Sequence, residues 1–545
     1  MRRGVRGPVR RLAAGAVWAG SLAVGPLAVG LLTAGLLTGP ASGAQPSAAG
    51  EEPTFLEQTL ECRGELLLWR IVDQDGDGAL ELLVVEAPPE GRRQLRVHPI
   101  QGGRVANEPR ARMDLLEDIT AVGLAELDPE QPGQEVLLLT PRGAYSYSLN
   151  RTSYRGNVQR LVEADLLHDF PRADGLGWWP FVLPGGTAGD DVLYPCPDAL
   201  SVLRDGALVP LEGPAPRGAS PDAQDGPPQA GAGAARVELE VRGGKLKAPF
   251  VGEDAGGTWT MAEDGRSLEA PALADFDADG DLDLVFAGRD ALRVHASAGG
   301  RFSPAVTTRT SWPGYLGEDP DERELRLLPA APGRRPDLLA ILGQASDQGL
   351  GNSGQRLLLL RQGPAGPLPE KPQQVLSFEA ARLTPSLTDL DGDGRTDLVV
   401  RQFRLPDFSD VLTGLEFELS FFWYRGDGRG FERQPTLRDD RTYDEEQMDE
   451  LIARRVFGPD LSGDGLGDLV EVDLQGRISI RRLIKDSGFF SGTTWTLERA
   501  PWKRFDTTGS IRELEVRDIN GDGLADVLSA GDRGVTVILS QGDRR

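Results

Sequence analysis

Five stretches of this 545-residue chain repeat one acidic pattern: DQDGDGALE from Asp73, DFDADGDLD from Asp275, DLDGDGRTD from Asp389, DLSGDGLGD from Asp460 and DINGDGLAD from Asp518. Each puts oxygen-bearing side chains at loop positions 1, 3, 5 and 9, glycine at position 6, and an apolar run directly afterwards. A tight reversal of this kind needs a positive φ, which glycine adopts without steric cost. Five copies in register constrain the chain to a repeat architecture.

Alternate oxygens on a short loop suit a hard cation. Calcium takes about six to eight oxygens at roughly 2.3–2.6 Å. The candidate ligands are Asp73, Asp75, Asp77 and Glu81; Asp275, Asp277, Asp279 and Asp283; and Asp389, Asp391, Asp393 and Asp397. The last two loops offer Asp460, Ser462, Asp464 and Asp468, and Asp518, Asn520, Asp522 and Asp526. A neutral residue at position 3 predicts weaker binding there, because ligand charge tunes affinity. An EF-hand would need a bidentate Glu at position 12 between two helices. Position 12 is Val84, Phe286, Val400, Glu471 and Ser529, so only one copy fits, and the flanks Leu82–Val85, Leu284–Phe286 and Leu398–Val400 read as buried strands. The competing explanation is an Asx-rich turn without metal.

The repeated D-x-[DN]-G-D-G-x-x-D-[LV]-[LV] followed by a strand resembles the FG-GAP/VCBS repeat of integrin-α-like propellers. A second half of such a repeat shows in RVHASAGGRFSPAV from Arg293 and FFWYRGDGRGFERQPTL from Phe421. The resemblance implies an all-β fold, one propeller blade per repeat, and up to five structural calcium ions in blade hairpins. Degenerate copies begin near residues 126, 181 and 327, so seven or eight four-stranded blades are expected. Radial repetition leaves only short protected strand edges, and closure commonly pairs strands from the two termini. The stretch Gly64 to Val72 and the final run Val535 to Leu539 are expected to meet.

The remaining organisation follows from composition. Residues 1–44 carry five arginines, a long Ala/Leu/Gly/Val stretch and Ser42-Gly43-Ala44, which reads as an export signal. An uncleaved membrane anchor is the alternative. A linker over 45–54 would precede a propeller over 55–545. The Pro/Gly/Ala-rich segment 213–235 is expected to be a flexible insertion, and 439–455 a helical one. Export implies a periplasmic, cell-surface or secreted location, with no stable membrane insertion after cleavage.

A net charge of −25 argues against nucleic-acid partners. Cys62 and Cys196 permit a disulfide in an oxidising compartment, although they fall in different repeats. Three histidines, none in zinc-ligand spacing, and no nucleophile or phosphate-loop motif favour a non-enzymatic, monomeric binding, adhesion or scaffold module for an extracellular protein or glycan. A polysaccharide lyase or hydrolase is the alternative. Trp178-Trp179 is the aromatic pair a glycan would use, unless it packs between blades. Arg425-Gly426-Asp427 spells an adhesion tripeptide that a Gly-Asp-Gly turn explains equally well.

Overall fold

The structure is a computed structural model. It describes residues 53–128, 133–148, 158–166, 176–179, 182–183, 189–196, 199–213, 238–241, 244–247, 258–260, 267–269, 271–287, 291–316, 323–328, 335–343, 352–362, 368–405, 417–443, 452–473, 475–488, 492–507, 511–531 and 534–541. Residues 1–44, read above as an export signal, and all of 214–237 lie outside them.

Eight antiparallel sheets follow one another and form an eight-bladed β-propeller. Blade 1 spans Glu65 to Asp114, blade 2 Ala121 to Glu163, blade 3 Val182 to Pro210 and blade 4 Ala272 to Ser311. Blades 5, 6 and 7 span Arg323 to Ala380, Arg382 to Tyr443 and Ile452 to Asp506. Blade 8 takes Ile511–Arg517, Asp526–Gly531 and Gly534–Gln541 from the C-terminal end and its outer strand, Thr54–Glu61, from near the N-terminus. Within each blade the strands are called A to D from the axis outwards.

The ends therefore share a blade, but the closing strand is not the expected one. Thr54–Glu61 pairs with Gly534–Gln541 in unbroken register, with Leu56 opposite Leu539 and Leu60 opposite Val535. Glu65–Val72 runs straight into the Asp73 loop and pairs with Glu81–Ala87, which commits it to strand A of blade 1. The helix expected at 439–455 is bounded by strands at both ends. Leu437–Tyr443 and Ile452–Phe457 are strands, and 444–451 lies outside the described residues. Alternation along Leu437, Asp439, Arg441 and Tyr443 has the period of a strand, and pairing to Phe417–Tyr424 overrides the local helix preference.

The core lies in the seams between blades. Leu339, Leu357, Leu359 and Phe378 of blade 5 pack against Leu398, Val400, Phe422 and Tyr424 of blade 6. Adjacent residues of a strand serve opposite seams, since Val399, Phe421 and Trp423 face the next cluster. A short parallel strand, Gly177–Trp178, adds to the inner edge of blade 2 along Ala121–Val122. It leaves Trp179 only 1% exposed, while half-buried Trp178 lies beneath the Arg70 guanidinium, 5.5 Å from its ring centroid. The tryptophan pair is thus packing material rather than an open aromatic platform. Cys62 and Cys196 are not joined by a disulfide.

Candidate metal loops and the ring that carries them

All five acidic loops join strand A to strand B of a blade: Asp73 in blade 1, Asp275 in blade 4, Asp389 in blade 6, Asp460 in blade 7 and Asp518 in blade 8. The position-6 glycines Gly78, Gly280, Gly394, Gly465 and Gly523 all have φ between 79° and 101°, as the tight reversal demands. The position-1 carboxylate accepts the amide of that glycine in every copy, at 2.7–3.1 Å.

Position 9 has a second task. An acid stands at or just before the start of strand B in all eight blades: Glu81, Glu135, Asp191, Asp283, Asp337, Asp397, Asp468 and Asp526. In six of them one oxygen accepts the amide of loop position 2 or its equivalent, from Gln74, Leu127, Phe276, Leu390, Leu461 and Ile519, at 2.8–3.1 Å. In three of these six the other oxygen, and in blade 5 Asp337 Oδ1, accepts the amide just beyond or near the end of strand C, from Ser297, Gly426, Ser540 and Gln362, at 2.7–3.0 Å. The position-9 acid is therefore a latch between loop and sheet in these blades, Glu135 serving without the Asp-Gly core, whereas Asp191 of blade 3 is held by Arg204 and Arg301 instead.

The loops also bond to one another. The amides of Gln134, Asp190, Gly467 and Ala525, each directly before a latch acid, donate to Gln74, Glu126, Leu390 and Asp460 carbonyls of the preceding blade at 2.6–2.8 Å. These links make the A–B loops a continuous collar over two runs of neighbouring blades, 1 to 3 and 6 to 8.

Three loops gather carboxylates closely enough to share an ion: Asp73, Asp75 and Asp77; Asp275, Asp277 and Asp279; and Asp389, Asp391 and Asp397, with ligand oxygens within 4.8 Å of one another. Oxygens on opposite sides of a calcium ion at about 2.4 Å stand roughly that far apart. The loops at Asp460 and Asp518 bring no such triad together among the described residues. There Asp464 accepts the Leu466 amide at 2.9 Å and Asp522 the Leu524 amide at 3.0 Å. Ser462 and Asn520 remain within the loops, the Asn520 side-chain oxygen accepting the Asp522 amide at 2.9 Å.

The three triads are neutralised differently. In blade 1, Arg110 ion-pairs with Asp75 and, at 3.1 Å, with Glu81. In blade 6, Arg425 pairs with Asp391 and, at 3.1 Å, with Asp393, which Arg395 also holds. Hydrogen bonding from Arg395 keeps the Asp393 carboxyl below the usual range and out of the triad. No basic side chain among the described residues pairs with Asp275, Asp277 or Asp279 of blade 4. Burial first, and then the neighbouring carboxylates Asp279 and Asp275, push the Asp277 carboxyl up. Asp275 Oδ1 is buried with no hydrogen-bond partner. An orphaned carboxylate oxygen inside an uncompensated acid triad is the environment a divalent cation corrects. The donor set of this loop therefore fits calcium.

Sequence spacing exposed the carboxylates but not the arginines. Arg110 lies 35 residues from Asp75, and only strand pairing within blade 1 brings it to the loop. The two described histidines are structural, and His168 lies outside the described residues. His98 and His295 are fully buried equivalents whose Nδ1 atoms meet the Ala106 and Ser303 carbonyls at 2.8 and 2.9 Å. Burial pushes His98 down to about 4. In the Arg-Gly-Asp turn, Arg425 is engaged by the loop acids and the Gly426 amide by Asp397.

The site and fold together define an eight-bladed propeller with an acidic loop collar. No family model matches this sequence, and no curated protein matches it either. Among solved structures, the chain matches a crystal structure of BBS1N in complex with ARL6DN, soaked with lead, with 9% identity and a TM-score of 0.35, over 91% of this chain and 98% of that one.

Proposed function

We propose that this chain is an exported binding or scaffold module of the FG-GAP/VCBS kind, whose loop collar is stabilised by calcium. The carrying observation is the blade 4 loop, with three converging carboxylates, a buried oxygen without a partner and no pairing arginine among the described residues. When bound, calcium would neutralise Asp275, Asp277 and Asp279 there. In blades 1 and 6 the triads Asp73/Asp75/Asp77 and Asp389/Asp391/Asp397 are weaker sites, because arginine already supplies positive charge. Extracellular modules bind calcium at about 10⁻⁴–10⁻³ M, which suits a protein working outside the cytoplasm.

Binding rather than catalysis fits the side chains. Both described histidines are buried struts, and the concentrated carboxylates serve as latches or cation ligands. The test is thermal unfolding of the chain in excess chelator and in calcium at about a hundred times the dissociation constant. A single site then stabilises by about 2.7 kcal/mol. An identical melt in both conditions, with no calcium heat by titration calorimetry, overturns the calcium reading.

A further inference from the structure

The seam between blades 6 and 7 departs from its neighbours. It is apolar where Phe421 on strand C of blade 6 meets Phe457 at the end of strand A of blade 7, at 5.4 Å between ring centroids. Beyond that contact, one face of blade 7 turns polar while the other stays in the core. Val470, Val472, Ile478 and Ile480 fill the blade 7–8 seam. The alternate residues Glu471, Asp473, Arg477, Ser479 and Arg481 instead line a cavity of about 800 Å³, closed on the other side by Arg441 and Tyr443 of blade 6.

The base of that cavity is a buried charge cluster. Glu471, 4% exposed as a residue, receives Arg455 Nε at 2.8 Å, Arg481 Nε at 2.8 Å and Arg441 Nη2 at 3.0 Å. Burial pushes its carboxyl up, but Arg455, Arg441 and Arg481 outweigh that and hold it below the usual range. The Arg455 side chain has no solvent exposure, pairs also with Asp439, and stacks over Phe421 at 4.6 Å. Its Nη1 is buried with no hydrogen-bond partner. On the outer wall, Arg477 is taken by Asp473 at 2.6 Å, whereas exposed Arg504 meets no partner among the described residues. Asp506 is the acid that shares the Arg504 wall. Five arginines thus stand against four acids, in a chain whose net charge is −25.

Buried charge is costly unless its hydrogen-bonding capacity is met. Guanidinium forks match carboxylate, sulfate and phosphate, often bidentately. The cavity volume falls within the range of small-molecule sites, about 300–1,000 Å³. We propose that the blade 6–7 crevice binds an oxyanion, a carboxylate, sulfate or phosphate carried by a small polar ligand, with Arg504 and the Nη2 of Arg481 as its grips; Glu471 on Nε and the Glu498 and Arg499 carbonyls on Nη1 hold Arg481 in place. This assignment is independent of calcium in the loops, and its test is run both in calcium and in chelator so that the two readings fail separately.

The full chain is titrated calorimetrically with inorganic sulfate, inorganic phosphate, trigalacturonate, a sulfated disaccharide and neutral lactose. Binding of at least one charged probe at about 1 mM or tighter, with none of lactose, is expected. Arg504→Gln should weaken that binding at least tenfold without moving the melting temperature, because the side chain is exposed and supports no neighbour. Arg481→Lys, which keeps charge but loses the Nη2 donor, should weaken it as well. A saccharide that outbinds the free anions assigns the pocket to acidic glycans; equal affinities assign it to simple oxyanions. Failure of every charged probe to bind, or binding untouched by Arg504→Gln, overturns the proposal.

Discussion

Blades 1 and 4 carry the same Asp-x-Asp-x-Asp-Gly loop in the same place and neutralise it by different means. The equivalence is fixed by backbone hydrogen bonds: the amide of Arg110 donates to Val97, and that of Thr307 to Val294. Where blade 1 has Arg110, blade 4 has Thr307. Blade 6 repeats the lesson at a second position. Ser297 and Gly426 both donate to the latch acid, so Arg425 stands where blade 4 has Ala296. An identical ligand string thus sits beside a guanidinium in two blades and without one in the third. The ligand string alone does not define a metal site; residues from the outer strands decide how much charge is left for an ion.

The sharpest way to break this comparison is to exchange the two residues. Thr307→Arg should place a guanidinium over the blade 4 triad and weaken its calcium affinity at least tenfold, about 1.4 kcal/mol. Arg110→Thr should do the reverse in blade 1 and strengthen the calcium site there, at some cost to the metal-free fold. Calcium titration calorimetry on both variants reads the outcome. Equal affinity in Thr307→Arg and the parent chain would show that the arginines are bystanders.

The periodicity of the Asp-Gly loops located every A–B turn, because the turn needs glycine at one position and oxygens around it. Even the degenerate starts near 126, 181 and 327 fall in blades 2, 3 and 5. Their surviving feature, an acid before an apolar run, is the latch in blades 2 and 5, while in blade 3 Asp191 pairs with Arg204 and Arg301. The amide partners of the latch are main-chain atoms and leave no mark on the sequence. The closing strand Thr54–Glu61 was hidden for another reason. A single outer strand with mixed burial has a weak alternation signal, and its identity depends on a partner some 480 residues away. The strands that flank the helix expected at 439–455, Leu437–Tyr443 and Ile452–Phe457, were hidden by their charged, helix-favouring composition, while 444–451 lies outside the described residues. The arginine cluster in the blade 6–7 seam was invisible too, since its members converge only through blade packing.

Blade 2 extends the comparison to a loop without the Asp-Gly core. Glu126 there is pushed up to about 7, by burial first and then by Glu135, Asp190 and Asp128, and its Oε1 is buried without a hydrogen-bond partner. An acid raised in the fold contributes full stability below its unfolded value near 4.5, and that contribution is lost as pH rises through about 7. Glu126→Gln should therefore melt with the parent chain at about pH 5 and above it at about pH 8, by about 1 kcal/mol after allowance for solvent screening. Added calcium should not change that difference. A gain already complete at the lower pH would show that packing, not charge, sets it.

The smallest effect separates loop strain from ion affinity within blade 4 itself. Position 4 is glycine with positive φ in the other four loops, but Ala278 holds φ 68° here. An L-residue in the left-handed region carries a steric cost that glycine does not, although glycine loses more chain entropy on folding. The two terms partly offset, so Ala278→Gly should stabilise the fold by about 0.5–1 kcal/mol. Because the change acts on the backbone and leaves Asp275, Asp277 and Asp279 unaltered, the gain should be the same in chelator and in calcium. A gain confined to the calcium-loaded protein would instead mean that Ala278 tunes the placement of the carboxylates, and the contrast between blades 1 and 4 would then have a backbone cause alongside the arginine.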